Sequence, residues 1–192
     1  MSLNLLETIP KNAGYTALTK IDPNTAEIKI AADGYNPCNV SQAAIPAVLI
    51  SMYKYTRTNE GAEKILYGDI STNWLKIFLQ NEKGEAIAKV AEYANVSSET
   101  ASAEMEKIAL EAVEIIRGTN PLTANDVKDL LAAEKDNVLL YLPAALQMGN
   151  LLNDNTLDDS THKMEGPVSS LMNAIGNIFS GGVVEEEAEK HK

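Results

Sequence analysis

Apolar and polar residues recur along most of this chain with a helical period. The clearest stretch is residues 97–117, where Ala101, Met105, Ile108, Ala112, Ile115 and Ile116 fall on one side and Glu106, Lys107, Glu111 and Glu114 largely on the other. Ser97 or Ser98 can cap this helix, Lys107 and Glu111 sit at pairing distance, and Gly118 followed by Pro121 stops it. Residues 41–66 follow a different pattern. Ile45, Val48, Leu49, Met52, Tyr53 and Tyr55 cover more than one face, which predicts a helix buried on several sides, capped by Ser41 and with Pro46 in or near its first turn.

The same periodicity predicts helices over residues 60–67, from Ser71 through Trp74, Leu75, Phe78 and Leu79, and over 84–94. Thr123 caps a helix running to Ala133. Residues 137–153 predict another, with Pro143 near its start or kinking it, and Gly166-Pro167 opens a last one to Phe179. Upstream, the turn Asp22-Pro23-Asn24-Thr25 precedes an alternation of Ala26, Ile28 and Ile30 against Glu27 and Lys29, so residues 15–31 read as a short hairpin or an irregular lead-in. Tyr35-Asn36-Pro37 then breaks the chain. Two short echoes run through it: Asn39-Val40-Ser41 against Asn95-Val96-Ser97, and Ile45-Pro46-Ala47-Val48-Leu49 against Leu142-Pro143-Ala144-Ala145-Leu146. The pattern as a whole predicts an all-α, multihelical array of about seven to eight helices. It divides into an N-terminal irregular or hairpin segment (1–38), a helical domain (39–180) and an acidic tail expected to be disordered (181–192).

Charge narrows the function classes. The 192 residues carry a formal net charge of −11, a field that repels phosphate backbones and anionic membrane surfaces, so nucleic acid is not an expected partner. No stretch approaches the run of about 18 apolar residues that a membrane span needs, and MSLNLLETIPK lacks the basic start and apolar core of a secretory signal. With a single cysteine, Cys38, no internal disulfide can form. These features predict a cytoplasmic protein.

The run AAIPAVLISMYKYTRTNEGAEKIL, residues 43–66, is similar to the alanine-rich "AIPALL…TPEGA…LL" pattern of the YidB-like family of bacterial proteins of unknown function. Residues 87–118, IAKVAEYANVSSETASAEMEKIALEAVEIIRG, resemble that family's second element, in which a Val-Ser cap opens a long helix. The resemblance spans roughly residues 39–118, and STNWLKIFLQNEKGE stands where the family has a glycine-rich middle. It implies a compact bacterial helical domain, and brings no catalytic residues with it.

Candidate chemistry is sparse. In the loop from Asp154 to Glu165, Asp154, Thr156, Asp158 and Glu165 occupy positions one, three, five and twelve of a calcium loop, which makes Asp154, Asp158 and Glu165 candidate metal ligands. Position six, however, is Asp159 where the sharp turn needs glycine, so a plain acidic capping loop competes with that reading. Val168, Leu171, Met172, Ile175, Ile178 and Phe179 form an apolar stripe opposite Ser169, Ser170, Asn173 and Asn177, a candidate interaction surface for this chain, a second copy, a partner or a membrane interface. Asp126, Asp129, Glu134, Lys128 and Lys135 read as a solvated helix face. Tyr53, Tyr55 and Tyr67 read as core or pocket lining, Trp74 as a packing anchor, and neither His162 nor His191 has metal-ligand company.

No nucleophile with its base and no phosphate loop is present, and no cofactor is implied. The leading expectation is a non-enzymatic protein acting by association with another protein or with itself as a homo-oligomer. The alternatives are a small-ligand carrier or enzyme whose site assembles from distant segments, and weak calcium binding at residues 154–165.

Overall fold

A helix that is apolar on every side is stable only when other elements surround it. The computed structural model, which describes residues 3–21 and 37–157, is built around such a helix. Following α1 (Leu5–Ala13), the central α2 (Pro37–Thr56) is packed by α1 and by five later helices: α3 (Asn59–Tyr67), α4 (Trp74–Leu79), α5 (Lys83–Ala94), α6 (Ser98–Gly118) and α7 (Ala124–Leu139). A single-turn α8 (Met148–Leu151) follows, with 3-10 turns at Gln80–Glu82, Ala144–Leu146 and Asn155–Leu157. The fold is all-α, and there is no strand among the described residues. None of the helices among them is long and apolar enough to cross a membrane.

In α2 every residue from Ala43 to Met52 is buried, Pro46 included, and the buried hydroxyls of Ser51 and Thr56 are satisfied within the helix. Ser51 Oγ donates to the Ala47 carbonyl (2.7 Å) and Thr56 Oγ1 to that of Met52 (3.0 Å). The expected burial on several sides is therefore met, but the expected start is not. Helix α2 begins at Pro37, so Ser41 is a buried interior residue rather than a cap, and Pro46 lies deep inside the helix. The physical reason is that Pro37 itself suits a first helical position, where its missing N–H has no helical acceptor to lose. The surrounding helices hold α2 through the gap that Pro46 leaves in its ladder.

Caps mark the other boundaries. Ser97 accepts the Thr100 N–H (3.2 Å) and opens α6 where expected. Helix α4 starts later than Ser71, because Asn73 is the residue that accepts the Lys76 N–H (2.9 Å), while Ser71 N–H is held by Asp69 (2.9 Å). Thr123 and Asp126 form a reciprocal capping box at the start of α7. That helix does not end at Ala133. Its buried stripe Val127, Leu131, Val138 and Leu139 continues to Leu139, absorbing the first residues of the helix expected over 137–153. The rest of that expected helix is broken by Pro143 and by Gln147, whose φ of 48° is left-handed, leaving a 3-10 turn and α8. The sequence echoes thus have no structural counterpart: Ser97 caps and Ser41 does not, and one Pro-Ala-rich run is helix interior while the other is a turn.

Residues 15–21 are irregular and cross the end of the bundle. Gln42 holds them with a two-way amide pairing, its Oε1 accepting Thr19 N–H (2.8 Å) and its Nε2 donating to the Thr19 and Tyr141 carbonyls (3.0 Å each). Ile21 N–H adds a bond to the Leu140 carbonyl (2.9 Å). The proposed hairpin turn at residues 22–25 and the alternation after it lie outside the described residues. So do the expected helix 167–179 and the tail.

Tertiary contacts also redirect the charges expected on helix surfaces. Glu111 accepts Asn12 Nδ2 (2.8 Å) instead of pairing with Lys107, whose ammonium lies 5.0 Å from the centre of the Tyr15 ring. On α7, Lys128 Nζ donates to Asn59, and Glu134 is partly buried beneath the start of α1, accepting Leu5 N–H (3.3 Å). The face read as solvated is therefore partly a packing surface.

Candidate functional site

The sharpest corner of the fold joins α2 to α3. Thr58 caps α3, its Oγ1 accepting Gly61 N–H (3.0 Å) and donating to the Tyr55 carbonyl (3.3 Å). The two helices approach so closely that a Cβ on Gly61 would lie 2.1 Å from Tyr55 O. This corner forms one wall of a half-open cleft of about 500 Å³. It is lined also by Phe78 of α4, Gln80 and Glu82 of the following 3-10 turn, and Leu152 beyond α8. Tyr55 packs at a tilt against the buried Phe78, ring centres 5.8 Å apart.

The electrostatics of the cleft are unbalanced. Lys54 is the basic side chain on its wall, and its ammonium donates to the Leu152 carbonyl. Glu60 and Glu82 line the same space and are in none of the ion pairs found among the described residues. Burial, reinforced by the Glu60 charge, raises the pKa of the Tyr55 phenol above its ordinary value. Gln80 has φ 49° and ψ −115°, a backbone conformation that side-chain-bearing residues avoid and that recurs at ligand sites.

A second feature sits at the other end of α3. Arg117, in the last turn of α6, donates from Nε to the Ile65 carbonyl (2.5 Å) and from Nη2 to that of Gly68 (2.7 Å), closing the C-terminus of α3. Its guanidinium lies 5.4 Å from the centre of the Trp74 ring, which is 2% exposed and acts as the anchor expected of it. Around this joint the chain exposes Tyr67 (76%), Ile70 (44%) and, five residues past Arg117, Leu122 (82%).

Of the three candidate metal ligands, Asp154 is described and is already engaged. Arg57 Nη1 lies 2.5 Å from Oδ2, and Oδ1 accepts the Thr156 N–H (3.1 Å) and hydroxyl (2.7 Å). Burial pushes its pKa up, but the Thr156 bonds and the Arg57 and Lys54 charges outweigh that and hold it below the usual carboxylate value. Asp158 and Glu165 lie outside the described residues, as does the whole apolar stripe from Val168 to Phe179. Among the described residues no three His, Cys, Asp or Glu side chains converge as a metal set would.

The cleft was not legible as a site. Tyr55, which the sequence reads as core or pocket lining, lines the cleft, and Gly61, a poor helix former in the first turn after Thr58, is the available signal of a close approach. Glu60 and Glu82 are 22 positions apart with nothing in the pattern to connect them. Comparisons with protein-family models, with curated proteins and with solved structures find no match to this chain.

Proposed function

We propose that this chain is a non-enzymatic helical protein of the bacterial cytoplasm that works by association, with a second copy of itself or with another protein. The observation that carries this reading is the exposure of Tyr67 and Ile70 on either side of Gly68, whose carbonyl Arg117 holds, with Leu122 exposed five residues beyond Arg117. Single exposed apolar residues are ordinary, but Tyr67 and Ile70 so close along the chain leave apolar surface in water that a partner would cover. Arg117 ties α6 to the end of α3 and lies over the Trp74 ring, which holds in place the helix end that carries Tyr67 and so lowers the cost of ordering it against a partner. The bacterial, YidB-like resemblance belongs to the same proposal and adds no chemistry to it.

Sedimentation velocity over a wide concentration range tests the self-association form. The expected result is a mass that rises with concentration in the parent and stays monomeric in Tyr67→Glu/Leu122→Glu, with unchanged circular dichroism. A parent that is monomeric throughout, and from which affinity capture recovers no partner lost in the double variant, overturns the reading.

A further inference from the structure

We propose that residues 3–21 form a strap that opens from the bundle and closes on it as one unit, with Gln42 as its clasp and Glu134 as the charge that loosens its N-terminal end. The inference goes beyond association and does not depend on it. Helix α1 has nine residues, too few to hold a helix on its own, and Pro10 inside it removes one rung of its ladder. It is helical because Leu5, Leu6 and Ile9 are buried in the common core. Gly14, at φ 74°, caps it, and the Tyr15 N–H returns to the Pro10 carbonyl (2.8 Å), which ties α1 to the irregular residues that follow.

The polar attachments of this unit sit at its rim. Gln42 holds both backbone groups of Thr19, Asn12 reaches Glu111 at the surface, and the Tyr15 hydroxyl donates to Glu104. At the other end, closure lays the Leu5 N–H on Glu134 (3.3 Å), partly buries that carboxylate and brings the Glu7 charge to bear on it. No cation answers. Glu134 is in none of the ion pairs found among the described residues, and the adjacent Lys135 is paired with Asp136 (3.5 Å). Helix α2 carries no charged side chain from Pro37 to Tyr53, Lys11 lies in the last turn of α1, and Lys107 of α6 lies over Tyr15. Helix α3, with Glu60, Glu63 and Lys64, bonds to α7 nearer its start, where Lys128 donates to Asn59. Burial and Glu7 raise the Glu134 pKa, so the closed strap favours the protonated acid. It is tightest in acid and loosens as pH rises from the ordinary glutamate range through the raised value.

Hydrogen exchange of the full chain, read amide by amide by NMR and expressed as protection relative to the unfolded chain at each pH, is the test. In the parent at neutral pH the bonded amides of α1, Tyr15 and Ile21 should share one protection factor, about tenfold or more below that of α6. Protection equal to that of α6, or a gradient rising from Leu5 to Ile21 as a fraying terminus gives, overturns the proposal. Asp154→Asn acts at the opposite end of α2, where Asp154 pairs with Arg57. It should lower α6 protection about fivefold or more and leave the strap within about twofold; parallel loss means that the strap opens only with the whole fold, and overturns it. Gln42→Ala should lower protection of α1 and Ile21 about fivefold or more, and no loss there removes the clasp. Glu134→Gln keeps an acceptor for the Leu5 N–H without the charge. It should raise strap protection about twofold or more at neutral pH and match the parent below the ordinary glutamate range, Glu104 and Glu111 titrating alike in both proteins. No rise at neutral pH overturns the role of Glu134.

Discussion

Gly61→Ala isolates the geometry that shapes the α2–α3 corner. A Cβ at this position would sit 2.1 Å from the Tyr55 carbonyl oxygen and 3.0 Å from Thr58 Oγ1, where ordinary contacts begin near 3.4 Å. The first clash is more than an ångström too close and involves backbone on both sides, so no side-chain rotation relieves it. Relief requires α3 to tilt away from α2, which breaks the Thr58 cap, worth about 1 kcal/mol, and loosens the packing of Ala62 and Ile65. Adding the roughly 1–3 kcal/mol of a forced overpacking gives a loss of about 2–4 kcal/mol. For a chain of this size that lowers the melting temperature by roughly 5–12 °C. Gly84→Ala is the matched control: it lies within α5 with nothing inside 4 Å of a built Cβ. Helix propensity there predicts a gain of up to about 1 kcal/mol, a rise of roughly 1–3 °C. Melting followed by circular dichroism decides the matter. A Gly61→Ala protein that melts within about 1 °C of the parent would refute the close approach and with it the shape of the cleft.

Three further substitutions probe the charged joints. Burial, helped by the nearby Glu7 charge, raises the Glu134 pKa despite the bond from Leu5 N–H, so native protein gives up this proton less readily than unfolded chain. Stability therefore falls as pH rises from the ordinary glutamate range through the raised value, and Glu134→Gln should be more stable than the parent at neutral pH, the gap closing in acid; urea unfolding at several pH values checks the sign. Asp154 is the opposite case: its lowered pKa gives stability present above the ordinary aspartate value and lost as pH falls through the folded one. Asp154→Asn should cost about 1–2 kcal/mol at neutral pH and little in strong acid, by the same assay. Arg117→Lys keeps the charge but not the fork that spans the Ile65 and Gly68 carbonyls or the guanidinium contact with the Trp74 ring, so it should lose about 1 kcal/mol and Arg117→Met about 2–3. Amide exchange at the end of α3 should speed up in the same order.

Where one helix face dominated, the sequence was a good guide. Helix α6 was legible from cap to stop because Ser97, the stripe from Ala101 to Ile116 and Gly118 all agree. The elements around α2 were harder, because a helix buried on all sides has no amphipathic edge to mark its beginning, and Pro46 imitated a start that Pro37 provides. At α7 a charged stretch near Ala133 hid the continuing stripe to Leu139. Both errors have one cause: tertiary burial supplies stability that local pattern does not register. The same holds for charge. Glu134 looked like a solvent residue because nothing local shows that α1 returns to cover it, and Glu111 found Asn12 across 99 positions instead of Lys107 one turn away.

The packing itself explains why the cleft and the exposed apolar residues sit at the ends of α3. Alanines 43, 44 and 47 of α2 and 101, 109 and 112 of α6 are fully buried, and small side chains at helix contacts let backbones approach and leave little room between them. The body of the bundle is thus committed to its own interior, and accessible features arise where helices start and stop. Helix α3 is nine residues, about 13 Å, long. Its first turn walls the cleft through Glu60 and Gly61, and its last turn carries Tyr67 into the apolar patch. Each end is pinned separately, by Thr58 at one and Arg117 at the other. A perturbation of the cleft that leaves the Thr58 cap in place therefore leaves the far end as it was, whereas one that tilts α3 must also strain the Arg117 clamp. Measuring self-association in Gly61→Ala beside the parent separates the two: unchanged association means α3 is a fixed strut, and a change that Arg117→Lys amplifies means that a tilt at one end reaches the other.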